Sequence, residues 1–129
     1  MTELHGWLAV RETPADEDAL PEDELKRIMN GVRDILAETD CVKLVYANGE
    51  PYLNTLFCAN HRCESDEIIG IYRRIAALAR GSYGMIYLHD DEDSEHHNEF
   101  MTYIFKRGEC TVCTDEHFSP CIPTIEDGV

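Results

Sequence analysis

The chain has 129 residues, the size of one domain, and 43% of them are hydrophobic, enough for a core and too many for a disordered acidic tail. Asp and Glu total 26 against 11 Lys and Arg, a formal net charge of −15; such a surface repels DNA, RNA and anionic membranes, which need cations to neutralise their phosphates. No apolar run approaches the ~20 residues of a membrane-spanning helix, and Met1-Thr2-Glu3-Leu4-His5 lacks the regions of a signal peptide, so a cytoplasmic protein with a basic partner is expected.

Residues Leu4 to Arg11 read as a first strand, with Leu4, Gly6, Leu8 and Val10 on one face and His5, Trp7 and Ala9 on the other. Thr13 to Leu20 is an acidic loop containing Pro14 and the run Asp16-Glu17-Asp18. Pro21 then opens a helix, a position where its missing N–H costs nothing. Glu22, Asp23 and Glu24 sit favourably against the positive end of that helix. Leu25, Ile28, Met29, Val32, Ile35 and Leu36 recur at three- and four-residue spacing, an amphipathic stripe that must bury against a sheet.

Val42 to Tyr46 and Tyr52 to Cys58 are strand-like and are joined around Asn48-Gly49, a hairpin signal because both residues tolerate positive φ. Ser65 is placed to cap a second helix with Asp66 and Glu67 in its first turn. Its buried face is Ile68, Ile71, Tyr72, Ile75 and Ala79, and Gly81 ends it. Gly70 weakens this helix by about 1 kcal/mol relative to Ala, which points to close packing there. Tyr83 to Leu88 is apolar on both faces, as a central strand would be, Phe100 to Lys106 is another strand, and Glu109 to Thr114 a short edge strand. The tail from Phe118 to Asp127 holds Pro120 and Pro123 and is expected to lie extended over the domain.

This succession predicts an α+β protein: a ferredoxin-like split βαβ core (β-α-β-β-α-β) extended by one or two C-terminal antiparallel strands, with both helices on one sheet face and residues 1–129 forming a single domain. The other sheet face is then open to solvent or to a partner, unless the tail covers it.

Asp90, Asp91, Glu92 and Asp93 follow the central strand directly, with Glu95, His96 and His97 behind them. Neighbouring carboxylates repel by on the order of 1 kcal/mol per close pair even in water. Full solvation, a bound cation or a basic partner must therefore accommodate them. An EF-hand fails, because counting from Asp91 or Asp93 puts His96 or Asn98 where glycine is needed. A metal-dependent hydrolase built on Asp90, Asp93 and a histidine is one alternative. The six cysteines, Cys41, Cys58, Cys63, Cys110, Cys113 and Cys121, are expected to be free thiols. Cys110 and Cys113 lie on a strand and should face opposite ways; a zinc site combining them with Cys58, His61 and Cys63 is the alternative. The chain has no nucleophile elbow, phosphate-binding glycine loop or His-Glu-x-x-His motif, so no catalytic residue, metal or cofactor is assigned. Trp7, Tyr83 and Tyr103 are either core residues or interface anchors; Tyr87 is expected to be packed, and Lys106-Arg107 to balance nearby carboxylates at a strand end.

Several motifs occur together and in order: His5-Gly6-Trp7, Gly81-Ser82-Tyr83-Gly84 leading into Asp90-Asp91-Glu92-Asp93, Asn98-Glu99-Phe100, Lys106-Arg107-Gly108, and the ending Ser119-Pro120-Cys121-Ile122-Pro123-Thr124-Ile125-Glu126-Asp127. With them the chain resembles the immunity protein 7 family of bacterial polymorphic toxin systems. The resemblance implies a small α+β protein, encoded beside a toxin gene, that binds the toxin's C-terminal domain and silences it without catalysis. It transfers a role and no catalytic residues. Joined to the charge, it makes Asp90, Asp91, Glu92, Asp93, Glu95, Glu126 and Asp127 a candidate acidic rim that plugs a basic toxin active site, such as that of a nuclease. Trp7, Tyr83 and Tyr103 become candidate aromatic anchors, on a monomer or weak homodimer that binds neither nucleic acid nor membrane. The rival reading is a small ferredoxin-like ligand-binding or regulatory domain, dimeric through its open sheet.

Overall fold

The computed structural model describes residues 1–15, 17–60 and 62–128. Its strands are β1 (Thr2–Ala9), β2 (Lys43–Ala47), β3 (Glu50–Ala59), β4 (Tyr83–Asp90), β5 (Phe100–Lys106) and β6 (Glu109–Thr114); its helices are α1 (Glu22–Leu36), α2 (Cys63–Leu78) and the short α3 (Cys121–Thr124). The strands form one antiparallel sheet in the order β2-β3-β1-β4-β5-β6.

Local chemistry accounts for the joints. Asn48-Gly49 and Arg107-Gly108 both take positive φ (52° and 77°, 50° and 79°) and close the β2-β3 and β5-β6 hairpins in two residues, as the twist of paired strands favours. Helix α1 starts directly after Pro21 with its three acidic residues in the first turn. Helix α2 departs from expectation at its start. It begins at Cys63, so Ser65 lies inside the first turn, buried and with its Oγ unbonded, and does not cap. Gly70 is a second correction, since an added Cβ there would meet open space. Close approach of the two helices occurs at Gly31, where a Cβ would lie 2.7 Å from Leu78 Cδ2.

Period-two alternation decides what is buried. Leu4 and Leu8 of β1, Leu53 of β3, Ile86 and Leu88 of β4 and Phe105 of β5 join Ile28 and Val32 of α1 and Ile68, Tyr72 and Ile75 of α2 in one core. Among the described residues, neither α1 nor α2 packs on the opposite sheet face. The tail is not wholly extended, because α3 makes a turn that buries Cys121. No helix among the described residues is long and apolar enough to cross a membrane.

Candidate functional site

His5-Gly6-Trp7 shows how one strand builds both faces. Gly6 points toward the helices, and a Cβ there would come within 2.8 Å of the Tyr72 hydroxyl. That hydroxyl shares a 2.8 Å hydrogen bond with Thr55 Oγ1, and burial pushes the Tyr72 phenol up to about 12, so it stays neutral inside the core. The missing side chain at Gly6 is therefore the space that Tyr72 fills. His5 and Trp7 point the other way. Trp7 pairs across the sheet with Asn54 and Met85, and His5 with Leu56 and Tyr87. Trp7 is 44% exposed, Tyr83 50% and Leu56 71%. The Trp7 and Tyr83 rings meet edge to face at 6.2 Å. Contiguous apolar side chains are thus left in water on one face, a feature that singles it out as a candidate interaction surface.

The Gly81-Ser82-Tyr83-Gly84 motif delivers Tyr83 to that surface. A Cβ at Gly81 would lie 2.2 Å from the Thr13 carbonyl oxygen, and one at Gly84 2.1 Å from that of Trp7. Between them Ser82 Oγ accepts the Arg11 N–H at 3.0 Å. Two backbone approaches that only glycine permits thus fix the start of β4, with Tyr83 facing outward.

The C-terminal segment walls one end of the same face. Asn98 clamps it, its Nδ2 donating to the Ile122 carbonyl at 3.1 Å and its Oδ1 accepting the Ile122 N–H at 2.9 Å. Ser119 Oγ accepts the Phe100 N–H at 2.9 Å. Phe100 stacks on Tyr87 at 4.7 Å, and Phe118 meets both rings edge-on at 6.2 Å. Asp115 holds the wall upright by accepting the His117 and Phe118 amides at 3.0 and 2.7 Å together with the Tyr87 hydroxyl. Burial works to raise the Asp115 carboxyl, but these donors outweigh it and the group titrates below the usual carboxylate range. Burial and then the bond to Asp115 push the Tyr87 phenol well above its ordinary value. Between this wall and Trp7 and Leu56 runs an open groove of about 1240 Å³.

The acidic segment is arranged differently from the projecting rim the sequence suggested. Arg62, just before α2, places Nη1 3.0 Å from Asp93 and 3.9 Å from Asp90, Nε 3.2 Å from Asp66, and donates from Nη2 to the Tyr103 hydroxyl at 2.8 Å. The Glu95 and His96 amides donate to Asp93 at 2.8 and 2.9 Å, and with Arg62 they hold its carboxyl below the usual range. Asp91 pairs with the amino group of Met1, whose pKa rises through that bond. An internal cation therefore accommodates the run. Asp90 is buried and Asp93 is turned inward, so neither is presented as a rim carboxylate, whereas Asp91, Glu92, Glu95, Glu126 and Asp127 are exposed. Tyr103 is corrected too: it lies on the helix-covered face at 6% exposure, its hydroxyl taken by Arg62, and it is no surface anchor.

Other expectations fall as strand geometry requires. Cys110 packs against the core while Cys113 lines the open groove, so the two thiols face opposite ways. Cys41, Cys58, Cys110, Cys113 and Cys121 are free thiols; His61 and the Cys63 side chain, which the zinc reading needs, lie outside the described residues. No group of three metal-ligating side chains occurs among the described residues. In the acidic loop, Asp16 lies outside the described residues, and Glu17 bridges Arg80 at 3.4 Å and Arg107 at 3.7 Å. Leu56, Glu116 and Phe118 belong to the open surface and were not singled out from the sequence. Alternation along β3 would have exposed Leu56, since Leu53 and Leu56 are out of phase.

One face of the sheet is thus buried under helices, and the other carries exposed aromatic side chains beside a walled groove. The sequence pattern of the family described as Immunity protein 7 matches residues 1–127, and the chain belongs to that family. It is therefore an immunity protein, directed against a toxin. Comparisons with curated proteins and with solved structures give no match.

Proposed function

We propose that this immunity protein neutralises its cognate toxin domain by stoichiometric, non-enzymatic binding through the open face of the sheet. One observation carries the reading: Trp7, Tyr83 and Leu56 stand side by side in solvent on one face, while the other face is packed against helices. Large aromatic residues in such a setting are the usual centres of binding energy. Around them the exposed carboxylates Asp91, Glu92, Glu95, Glu126 and Asp127 supply an acidic rim. A toxin that acts on nucleic acid must line its cleft with Lys and Arg, so the rim and the net charge of −15 favour a nuclease-like target blocked sterically and electrostatically in the cytoplasm. Close, desolvated charge pairs of this kind contribute ~1.5–7 kcal/mol. The strand order β2-β3-β1-β4 within the β1-α1-β2-β3-α2-β4 succession supports a ferredoxin-like split βαβ core, with β5 and β6 as the extension.

The test is co-purification with the toxin domain encoded beside this chain, followed by association kinetics at increasing salt. A one-to-one complex that protects cells and associates more slowly as salt screens the charges is expected. Cells surviving that toxin equally well without this chain would overturn the role. A rate independent of salt would overturn the electrostatic part alone.

A further inference from the structure

We infer that the groove on the open face receives a loop of the toxin carrying a lysine or arginine, so that the immunity protein is the receptor and the toxin supplies the projecting part. The inference rests on the proposed open-face binding and specifies its chemistry. The groove is concave, about 1240 Å³, large enough for several side chains, and its floor is apolar and aromatic, with Trp7, Leu56, Met85 and Tyr87 exposed to it. Among the described residues its acidic side chains are Asp115 and Glu116, its histidines are His5 and His117, and no Lys or Arg lines it. Asp115 is occupied by the Tyr87 hydroxyl and two amides, which makes it a rigid strut. Glu116, next to it, is exposed and is the other carboxylate of the lining.

An aliphatic stem lying on Leu56 and Met85, with its cation between the aromatic rings of Trp7 and Tyr87 and the Glu116 carboxylate, uses both the apolar floor and the exposed carboxylate of this lining. Long basic side chains bury their stems on apolar surface in this way, and aromatic faces attract their heads. The opposite arrangement, with the acidic segment after β4 inserted into the toxin, has less support, because Arg62 already holds Asp90 and Asp93 inward.

Affinity for the adjacent-gene toxin domain, measured with Glu116→Arg, Glu67→Arg and Trp7→Ala, tests this. Glu67 is an exposed carboxylate on α2, outside both the groove and the acidic rim, so its variant reports the general effect of removing negative charge. Glu116→Arg is expected to weaken binding at least tenfold more than Glu67→Arg, with unchanged thermal unfolding, and Glu116 should couple to a single toxin cation in a double-mutant cycle. Equal effects of the two reversals, with Trp7→Ala still damaging, would overturn the groove inference and leave open-face binding standing. If Trp7→Ala and Glu116→Arg both bind normally, the open-face reading itself falls. Should the isolated chain dimerise, with Glu116→Arg breaking the dimer and sparing toxin binding, the occupant is a second copy and the inference is wrong.

Discussion

The two faces of this sheet use the same residue types to opposite ends. On the covered face an aromatic side chain, Tyr72, sits over Gly6 with its hydroxyl satisfied by Thr55. One residue further along β1, Trp7 stands half in water with Tyr83 as an aromatic neighbour. Hydrophobicity alone does not separate them; what differs is whether the chain provides something to cover the side chain. The covered face is closed by α1 and α2, while the open face is closed only at one end, by the segment that Asn98 and Asp115 hold in place. Stability belongs to the first face, and recognition is proposed for the second.

The sharpest way to break that division is Gly84→Ala. Its Cβ would press on the Trp7 carbonyl, a backbone atom with no room to yield, so both faces fail together. A loss of about 3 kcal/mol in chemical unfolding is expected, with toxin binding lost alongside. A paired comparison is cleaner. Trp7→Ala should weaken toxin binding about 30-fold, near 2 kcal/mol, and barely move the unfolding midpoint. Tyr72→Phe should do the reverse, costing ~1–3 kcal/mol by leaving Thr55 Oγ1 without its partner, at unchanged affinity. If Tyr72→Phe impaired binding as much as Trp7→Ala, the two faces would not be separable.

Acid separates them in another way. Asp93 and Asp115 both titrate below the ordinary carboxyl range when folded. Their contribution is present above the unfolded value of about 4 and is lost as pH falls through the lower folded values. Both carboxylates hold segments flanking one end of the sheet, so the protection of amides in residues 90–99 and 115–118, measured relative to the intrinsic exchange rate at each pH, should fall below about pH 4 before that of the helix core. A uniform fall in protection would refute this order. The smallest effect is expected at Gly70→Ala, which fills open space on α2 and should stabilise the fold by about 1 kcal/mol without altering binding.

Much of this was legible in the linear chain. The stripe Leu25 to Leu36, the alternation of Leu4 to Val10 and the Asn48-Gly49 turn each obey a local period or a local backbone preference; the helix and the turn formed where those rules put them, while β1 runs Thr2–Ala9, two residues earlier than the Leu4 to Arg11 expected. The outward direction of Trp7 followed from the same alternation, but its exposure did not, because exposure depends on whether a helix lands on that face. Ser65 and Gly70 misled for the same reason: a cap and a packed glycine are set by what surrounds them, and Arg62 and open solvent were the surroundings.

The acidic run shows where local reading stops. Its charge and its need for a counter-charge could be stated from Asp90 to Asp93 alone. That Arg62, roughly thirty residues earlier, supplies the counter-charge is a consequence of α2 beginning beside the end of β4. Glu116 and Phe118 entered the groove wall only because Asn98 and Asp115 fold the tail back onto Tyr87 and Phe100. Local periods and backbone preferences act over a few residues and so can be read in one dimension. Ion pairs, cover and concavity depend on distances that exist only after the chain has closed on itself.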